Sequence, residues 1–276
     1  MADVLQEIED WEPDTVAVGV TDASTTLGGR GAVDTVLPFA SLTKPLSAYA
    51  VLIAVQDGVL HLDEPLGEQA PAPEATVRHL LAHAGGLPLD EDGGPVQRVG
   101  QRRVYSNWGY ELLGELVASR VGHGFAEHLD HEVLAPLGMT STRLKGSPAH
   151  AAEGTVTDLL AFARELLDPQ LLDPELHAEA TTATFPTLEG VVPGYGRQSP
   201  NEWGLGPEIK GTKDPHWTGS RQSATTFGHF GRSGSFIWVD PELGLASAEL
   251  ADTPFGEWSK RVWPAFNDRV VETFGA

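Results

Sequence analysis

Phe39-Ala-Ser-Leu-Thr-Lys-Pro45, followed by Leu46-Ser-Ala-Tyr-Ala-Val-Leu-Ile-Ala-Val55, is the stretch that decides the fold. From Leu46 to Gln56 there is no glycine, proline or charged residue, and apolar residues fall on every face of a 3.6-residue period. That pattern predicts a helix buried all round, ended by Asp57-Gly58. Ser41 then stands at the helix mouth with Lys44 three residues on, so a hydroxyl and an amine share one face. Free backbone N–H groups and the positive end of the helix dipole stabilise an oxyanion there. Ser41 is the candidate nucleophile and Lys44 the candidate base. Pro45 conflicts with the helix, because it has no N–H for the carbonyl of Ser41. The bland alternative is that Ser-x-x-Lys arises by chance and the serine is an N-cap.

A chain of 276 residues can bury a large core. Its 39 acidic and 18 basic residues give a formal charge of -21, which argues against nucleic-acid and anionic-membrane partners. Cysteine is absent, which excludes disulfides and thiolate metal sites. The N-terminal stretch lacks the basic and apolar regions of a signal peptide, and no apolar run is long enough to span a bilayer. The expected location is the cytoplasm.

Around the buried helix, the pattern predicts a helix over Asp3 to Trp11, a strand over Thr15 to Thr21, and a weaker strand from Thr25. From Leu62 to about Asn201 the signals are mostly helical, at Val77 to His83, Trp108 to Val121, Phe125 to Leu134 and Thr157 to Leu167. Thr155 and Asp158 are in capping-box register for the last of these. Residues 173–211, rich in glycine and proline, read as an irregular stretch overhanging a cleft. Strands return at Thr225 to Gly231, Ser235 to Asp240 and Leu245 to Leu250, before a helix over Glu257 to Thr273. A two-stranded ribbon is marginal alone, so the N-terminal hairpin joins the C-terminal strands in one sheet. The expected class is α+β, an antiparallel sheet flanked by helices. Residues 1–62 and 202–276 form the sheet part, residues 63–201 a mostly helical insertion, and the catalytic cleft lies between them.

Two further segments complete a site. Tyr105-Ser-Asn107 precedes a helix, where a phenol can relay a proton and an amide can bind a carbonyl. Gly228-His-Phe-Gly231 places glycines on a strand where a ligand needs close backbone approach. Alone, each has a bland reading, a surface turn and a strand end; together and in order they are far more specific.

With these three motifs the chain resembles the penicillin-recognising serine hydrolases: class C β-lactamases, DD-peptidases and related esterases. Asp57-Gly-Val-Leu-His-Leu-Asp-Glu-Pro65, His79-Leu-Leu-Ala-His-Ala-Gly-Gly-Leu-Pro88, Pro136-Leu-Gly-Met139 and Trp238-Val-Asp-Pro241 add to the likeness. The resemblance implies that Ser41 is acylated, Lys44 is its base and Tyr105 relays a proton to the leaving group. Asn107 would orient the substrate, which the strand of His229, Gly231 and Arg232 would flank. The N–H groups of Ser41 and Arg232 would form the oxyanion hole.

The third motif departs from the lactamase pattern, since His229 stands where a lysine is usual. Histidine, with a reference pKa of about 6.5, is mostly neutral at pH 7 and gives a substrate carboxylate no fixed cation. Arg232 or Arg102 could substitute. The function that fits best is an esterase-like serine hydrolase acting on a small ester or amide. A β-lactamase, a D-alanyl-peptidase and a non-catalytic ligand-binding member of the fold remain alternatives. No cofactor or metal is expected. His79 and His83 have metal-helix spacing but no third ligand, Asp90-Glu-Asp-Gly-Gly94 reads as a solvated loop, and Ser233 is a decoy for a nucleophile elbow.

Overall fold

The computed structural model describes residues 4–91 and 93–275. Its centre is a six-stranded antiparallel sheet of β1 (Val16–Thr21), β2 (Thr26–Gly31), β3 (Glu208–Ile209), β4 (Phe227–Gly231), β5 (Ser235–Asp240) and β6 (Leu245–Ala251). The strands lie in the order β2-β1-β6-β5-β4-β3. The expected union of the two ends of the chain is therefore made by β1 on β6, from Val16 opposite Ala251 to Thr21 opposite Ala246.

Strand alternation sends side chains to two separate cores. Ala17, Ile237, Val239, Ala246, Ala248 and Leu250 pack with α1 (Thr43–Gln56) and with helices that follow it in the chain. Val18, Val20, Phe236, Trp238 and Leu245 pack against the N-terminal 3-10 helix Val4–Asp10 and the C-terminal helix Glu257–Phe274. The predicted N-terminal helix is thus a tighter 3-10 turn. Asp3 lies outside the described residues.

α1 is buried from Thr43 to Ala54, as its all-apolar faces predict. Its few polar groups are all tied down. Tyr49 donates to Glu165 at 2.5 Å, Ser47 to the carbonyl of Pro148 at 2.7 Å, and the carbonyl of Ala50 meets His128 Nε2 at 3.0 Å. Pro45 is the third residue of α1, inside the first turn, where N–H groups have no partner within the helix. The expected conflict is therefore absent.

Four more helices follow: α2 (Val77–Leu81), α3 (Asn107–Val121), α4 (Phe125–Leu129), which runs into a π-helical turn at Asp130–Leu134, and α5 (Val156–Leu167). α5 comes from within residues 63–201 yet packs on β1, β5 and β6. Gly19 makes this possible, because a Cβ there would come within 2.5 Å of Leu160 Cδ1. Thr155 caps α5 by accepting from the N–H of Asp158. The reciprocal half of the capping box is not made: the Asp158 carboxylate accepts instead from Ser141 N–H and Thr142 Oγ1. The stretch 173–211 is more regular than its composition suggests. It holds a helix, Pro174–Ala180, which starts on a proline, and a hairpin of Gly190–Val192 with Gly196–Gln198.

One buried group is at odds with its surroundings. Glu249 on β6 faces the aromatic core between Val18 and Phe236, fully buried. Neither carboxylate oxygen has a hydrogen-bond partner among the described residues. Burial pushes its pKa well above the ordinary carboxylate range, so the folded protein keeps a proton that the unfolded chain releases above about pH 4.3. The folded state binds more protons, so this residue lowers stability as pH rises. Glu249→Leu is expected to stabilise the protein at pH 7 by about 1–3 kcal/mol, the usual cost of an unpaired buried polar group. Urea unfolding should show the gap between variant and parent widening from pH 5 to pH 8. A constant gap would mean that Glu249 does not stay protonated.

Candidate active site

Ser41 lies in a single 3-10 turn, Ala40–Leu42, that runs into α1, so it stands just before the helix rather than on it. Ala40 has φ +47°, a left-handed conformation that costs a non-glycine residue energy and is commonest beside functional groups. Lys44 is the second residue of α1 and has no exposed surface. Its Nζ donates to Asn107 Oδ1 at 2.6 Å and to the Ala149 carbonyl at 3.0 Å, and lies 4.5 Å from the centre of the Tyr105 ring. Burial drives its pKa down to about 7, while the charges of Asp90 and Glu111 pull it the other way.

Tyr105 and Asn107 are delivered by the start of α3. Ser106 caps that helix by accepting from the N–H of Gly109, and Asn107 is its first residue. The Tyr105 ring rests on His83, with centroids 4.6 Å apart, and Trp203 stands 5.8 Å away. His83 is itself pinned by accepting the Ser106 N–H at Nδ1, 3.1 Å away, and burial holds its pKa well below the normal value. His83 is thus a shelf for the phenol, and His79 completes the N-terminal cap of α2. No group of acidic or histidine side chains suited to a metal occurs among the described residues.

The Tyr105 hydroxyl is within hydrogen-bonding reach of Ser41 and 3.4 Å from His229 Nε2. Burial raises the phenol well above its ordinary pKa, and the Ser41 hydroxyl offsets part of that rise. His229 Nδ1 is 2.6 Å from the carbonyl of Phe230. A carbonyl only accepts, so Nδ1 carries the proton and Nε2 presents a lone pair to Tyr105. Burial first, and the charge of Lys44 second, bring the His229 pKa down to about 4. The third motif therefore supplies no cation at neutral pH.

Gly231 ends β4 against the turn that carries Ser41. A Cβ there would come within 2.7 Å of the Phe39 carbonyl oxygen. Arg232 follows it, exposed at the rim of the pocket. Arg102 is not in the pocket lining; it pairs with Glu189 at 3.5 Å. Ser233 is also outside the lining and contacts Ser235 at 3.0 Å.

The pocket over these groups has a volume of about 500 Å³ and an apolar wall of Leu89, Pro193, Trp203, Phe230 and Phe255. Two acidic residues in its lining were not expected there. Asp90, which the sequence places in a solvated loop, accepts from Asn107 Nδ2 at 2.9 Å. Asp92 of the same loop lies outside the described residues. Glu208 is fully buried and accepts from Trp217 Nε1 at 2.9 Å, with Lys213 Nζ and His216 Nε2 each 3.3 Å from its other oxygen. Burial opposes its charge, but Lys213, His216 and the indole N–H together hold its carboxyl well below the usual range.

A Ser-x-x-Lys helix mouth, a Tyr-x-Asn helix start and a glycine-ended strand, set against one antiparallel sheet, define the penicillin-recognising class of folds. The chain belongs to the Beta-lactamase family, whose family model matches residues 13–271. A solved β-lactamase from Mycobacterium bovis is 45% identical, with 99% of this chain and 100% of that one covered and a TM-score of 0.96. Among curated proteins, the D-alanyl-D-alanine-carboxypeptidase/endopeptidase AmpH of Escherichia coli is 24% identical over 151 residues, 43% of this chain and 39% of that protein. Esterase EstB of Burkholderia gladioli is 32% identical over 147 residues, 38% of each chain. The chain spans about two fifths of the length of these two relatives. Among the described residues no helix is long and apolar enough to cross a membrane.

The contact at Gly231 can be checked directly. Gly231→Ala must part β4 from the Ser41 turn or bend it, at a cost of about 1–3 kcal/mol typical of overpacking. The expected result is a lower Tm together with faster amide exchange in residues 39–42. An unchanged Tm with unchanged exchange would contradict the close approach.

Proposed function

We propose that this chain is a serine hydrolase that cleaves esters or amides through an acyl-enzyme on Ser41. The observation that carries this reading is Lys44, an amine three residues after the nucleophile, sealed from water against Tyr105 and Asn107, with a pKa of about 7. Lowering a lysine from its reference value to that point costs the charged form roughly 4 to 5 kcal/mol. Such a group is half deprotonated at neutral pH, where Tyr105 is too weak an acid and His229 too weak a base to serve alone.

In this reading Ser41 Oγ attacks the acyl carbonyl as neutral Lys44, still donating to Asn107 and the Ala149 carbonyl, takes its proton. The oxyanion forms in the hole made by the N–H groups of Ser41 and Arg232. Tyr105 passes a proton to the leaving alcohol or amine. Water then attacks the acyl-enzyme, and the proton it loses returns through Tyr105 and Lys44. Asn107 and the strand of His229, Gly231 and Arg232 hold the substrate between the sheet and the segment 63–201.

The apolar wall and the neutral His229 favour small uncharged esters with an apolar acyl group over anionic substrates. Relatives in the family include both an esterase and a peptidase, so the family alone does not choose. Arg232 favours a second reading. It stands at the rim with no ion-pair partner among the described residues, which supports a reading in which it meets the carboxylate of a β-lactam or D-alanyl peptide.

Intact-protein mass after incubation with activated esters, β-lactams and phosphonates is expected to show one adduct, on Ser41, that Ser41→Ala abolishes. An adduct on another serine, or none with any probe, would remove the acyl-enzyme and leave a ligand-binding member of the fold. The acylation rate should halve near pH 7 and fall further toward pH 5, following the protonation of Lys44. His229 adds nothing over that range, since it titrates near pH 4. Lys44→Ala should lose orders of magnitude with folding preserved; a rate flat from pH 5 to 9 would rule out Lys44 as the base.

For substrate choice, neutral short-chain esters should be acylated faster than penicillins. His229→Lys should raise the ratio of β-lactam to ester acylation by up to about tenfold, the equivalent of about 1.4 kcal/mol. If the parent already prefers β-lactams and Arg232→Ala removes that preference, the second reading replaces the first.

A further inference from the structure

A carboxamide can sit either way round, and the partners at its two ends decide which. Asn107 turns Oδ1 to Lys44 Nζ at 2.6 Å and Nδ2 to Asp90 Oδ1 at 2.9 Å. A protonated lysine only donates, and would fix this orientation by itself. A neutral one would not, because its lone pair can accept from the Nδ2 of a flipped amide. That flip would occupy the lone pair a base needs. An ionised carboxylate only accepts, so Asp90 rules out the flip whatever the state of Lys44.

We propose that Asp90 is a positioning residue for Lys44: it locks the Asn107 carboxamide with Oδ1 toward the amine, and sets a negative charge at the open end of that bridge. The inference rests on the role of Lys44 as base. Two consequences follow for catalysis. Both hydrogen bonds of Lys44, to Asn107 and to the Ala149 carbonyl, are made by donating, so loss of the third proton leaves a lone pair that neither partner occupies. The charge also favours the protonated amine and so sets how acidic the medium must be before the base is lost. The other titratable groups facing Lys44 are Glu111, Tyr105 and Tyr110 from the α3 region, His83 beyond α2, and His229 on β4. Of these only Glu111 adds to the pull of Asp90, and it is half-buried and accepts from Ser147.

The test compares acylation by one activated ester across pH in the parent, Asp90→Asn and Asp90→Glu. In Asp90→Asn the charge is gone and either orientation of Asn107 is allowed. Its acid limb should move to lower pH by about 0.5–1 unit, the order expected for a unit charge beyond one intervening amide. At pH 6 the variant should therefore retain about 2.5 to 5.5 times as much of its own alkaline rate as the parent does. Its alkaline plateau should fall severalfold. Asp90→Glu should restore the limb. Because Asp90 is exposed, the difference between parent and Asp90→Asn should shrink in 1 M salt, where the screening length is about 3 Å. An acid limb that stays in place in Asp90→Asn overturns the proposal, whatever the plateau does. Titration of the Lys44 side chain by heteronuclear NMR in parent and Asp90→Asn reads the same shift without catalysis. It tests the Asp90 contact even if no Ser41 adduct forms, so failure of the proposed function and failure of this inference are told apart.

Discussion

An amine removed from water must give its hydrogens to something, and the acceptors found by Lys44 bind together parts of the chain far apart in sequence. Asn107 comes from the start of α3, and the Ala149 carbonyl from the segment that leads into α5. α1 carries the lysine between them with its own polar groups tied to Glu165, Pro148 and His128. Breaking any of these contacts leaves a buried polar group unpaired, at a cost of about 1–3 kcal/mol. The same enclosure that brings the Lys44 pKa down is what fixes the helix on which it sits.

The sheet serves that enclosure from the other side. β4 brings His229 and Gly231 against the Ser41 turn because Gly231 has no side chain to keep the backbones apart. β5 and β6 are buried along their whole length, so β4 has a rigid backing. α5 covers the face on which α1 lies and reaches β1 at Gly19. Ser41, Asn107 and His229 thus reach one pocket from a helix mouth, a helix start and a strand end.

Much of this was legible in the sequence because it rests on local patterns. The all-apolar faces of Leu46 to Gln56 announced a buried helix, and β-branched alternation announced β1. The three motifs, in order, named the residues that the fold gathers in and under one pocket. What stayed hidden depends on contacts between distant residues. Asp90 reads as part of an acidic loop until Asn107 is seen to donate to it. Glu208 carries no motif, since Lys213, His216 and Trp217 meet it only through the folding of an irregular stretch. Asp158 has capping-box spacing, yet its carboxylate finds Ser141 and Thr142 across the chain and takes them instead. The Pro45 conflict vanished because a 3-10 turn, not the α-helix, carries Ser41, and no spacing rule distinguishes the two over three residues.

The tautomer of His229 has an effect on the hydroxyls above it. With its Nδ1 proton committed to the Phe230 carbonyl, the ring can only receive at Nε2, so the Tyr105 hydrogen points to it and the tyrosine oxygen is left to receive from Ser41. The resting site is therefore polarised from the serine toward the strand. Sending the Ser41 proton to Lys44 instead would need the serine hydroxyl to turn about its Cβ–Oγ bond, a rotation that moves a single hydrogen and leaves every heavy atom in place.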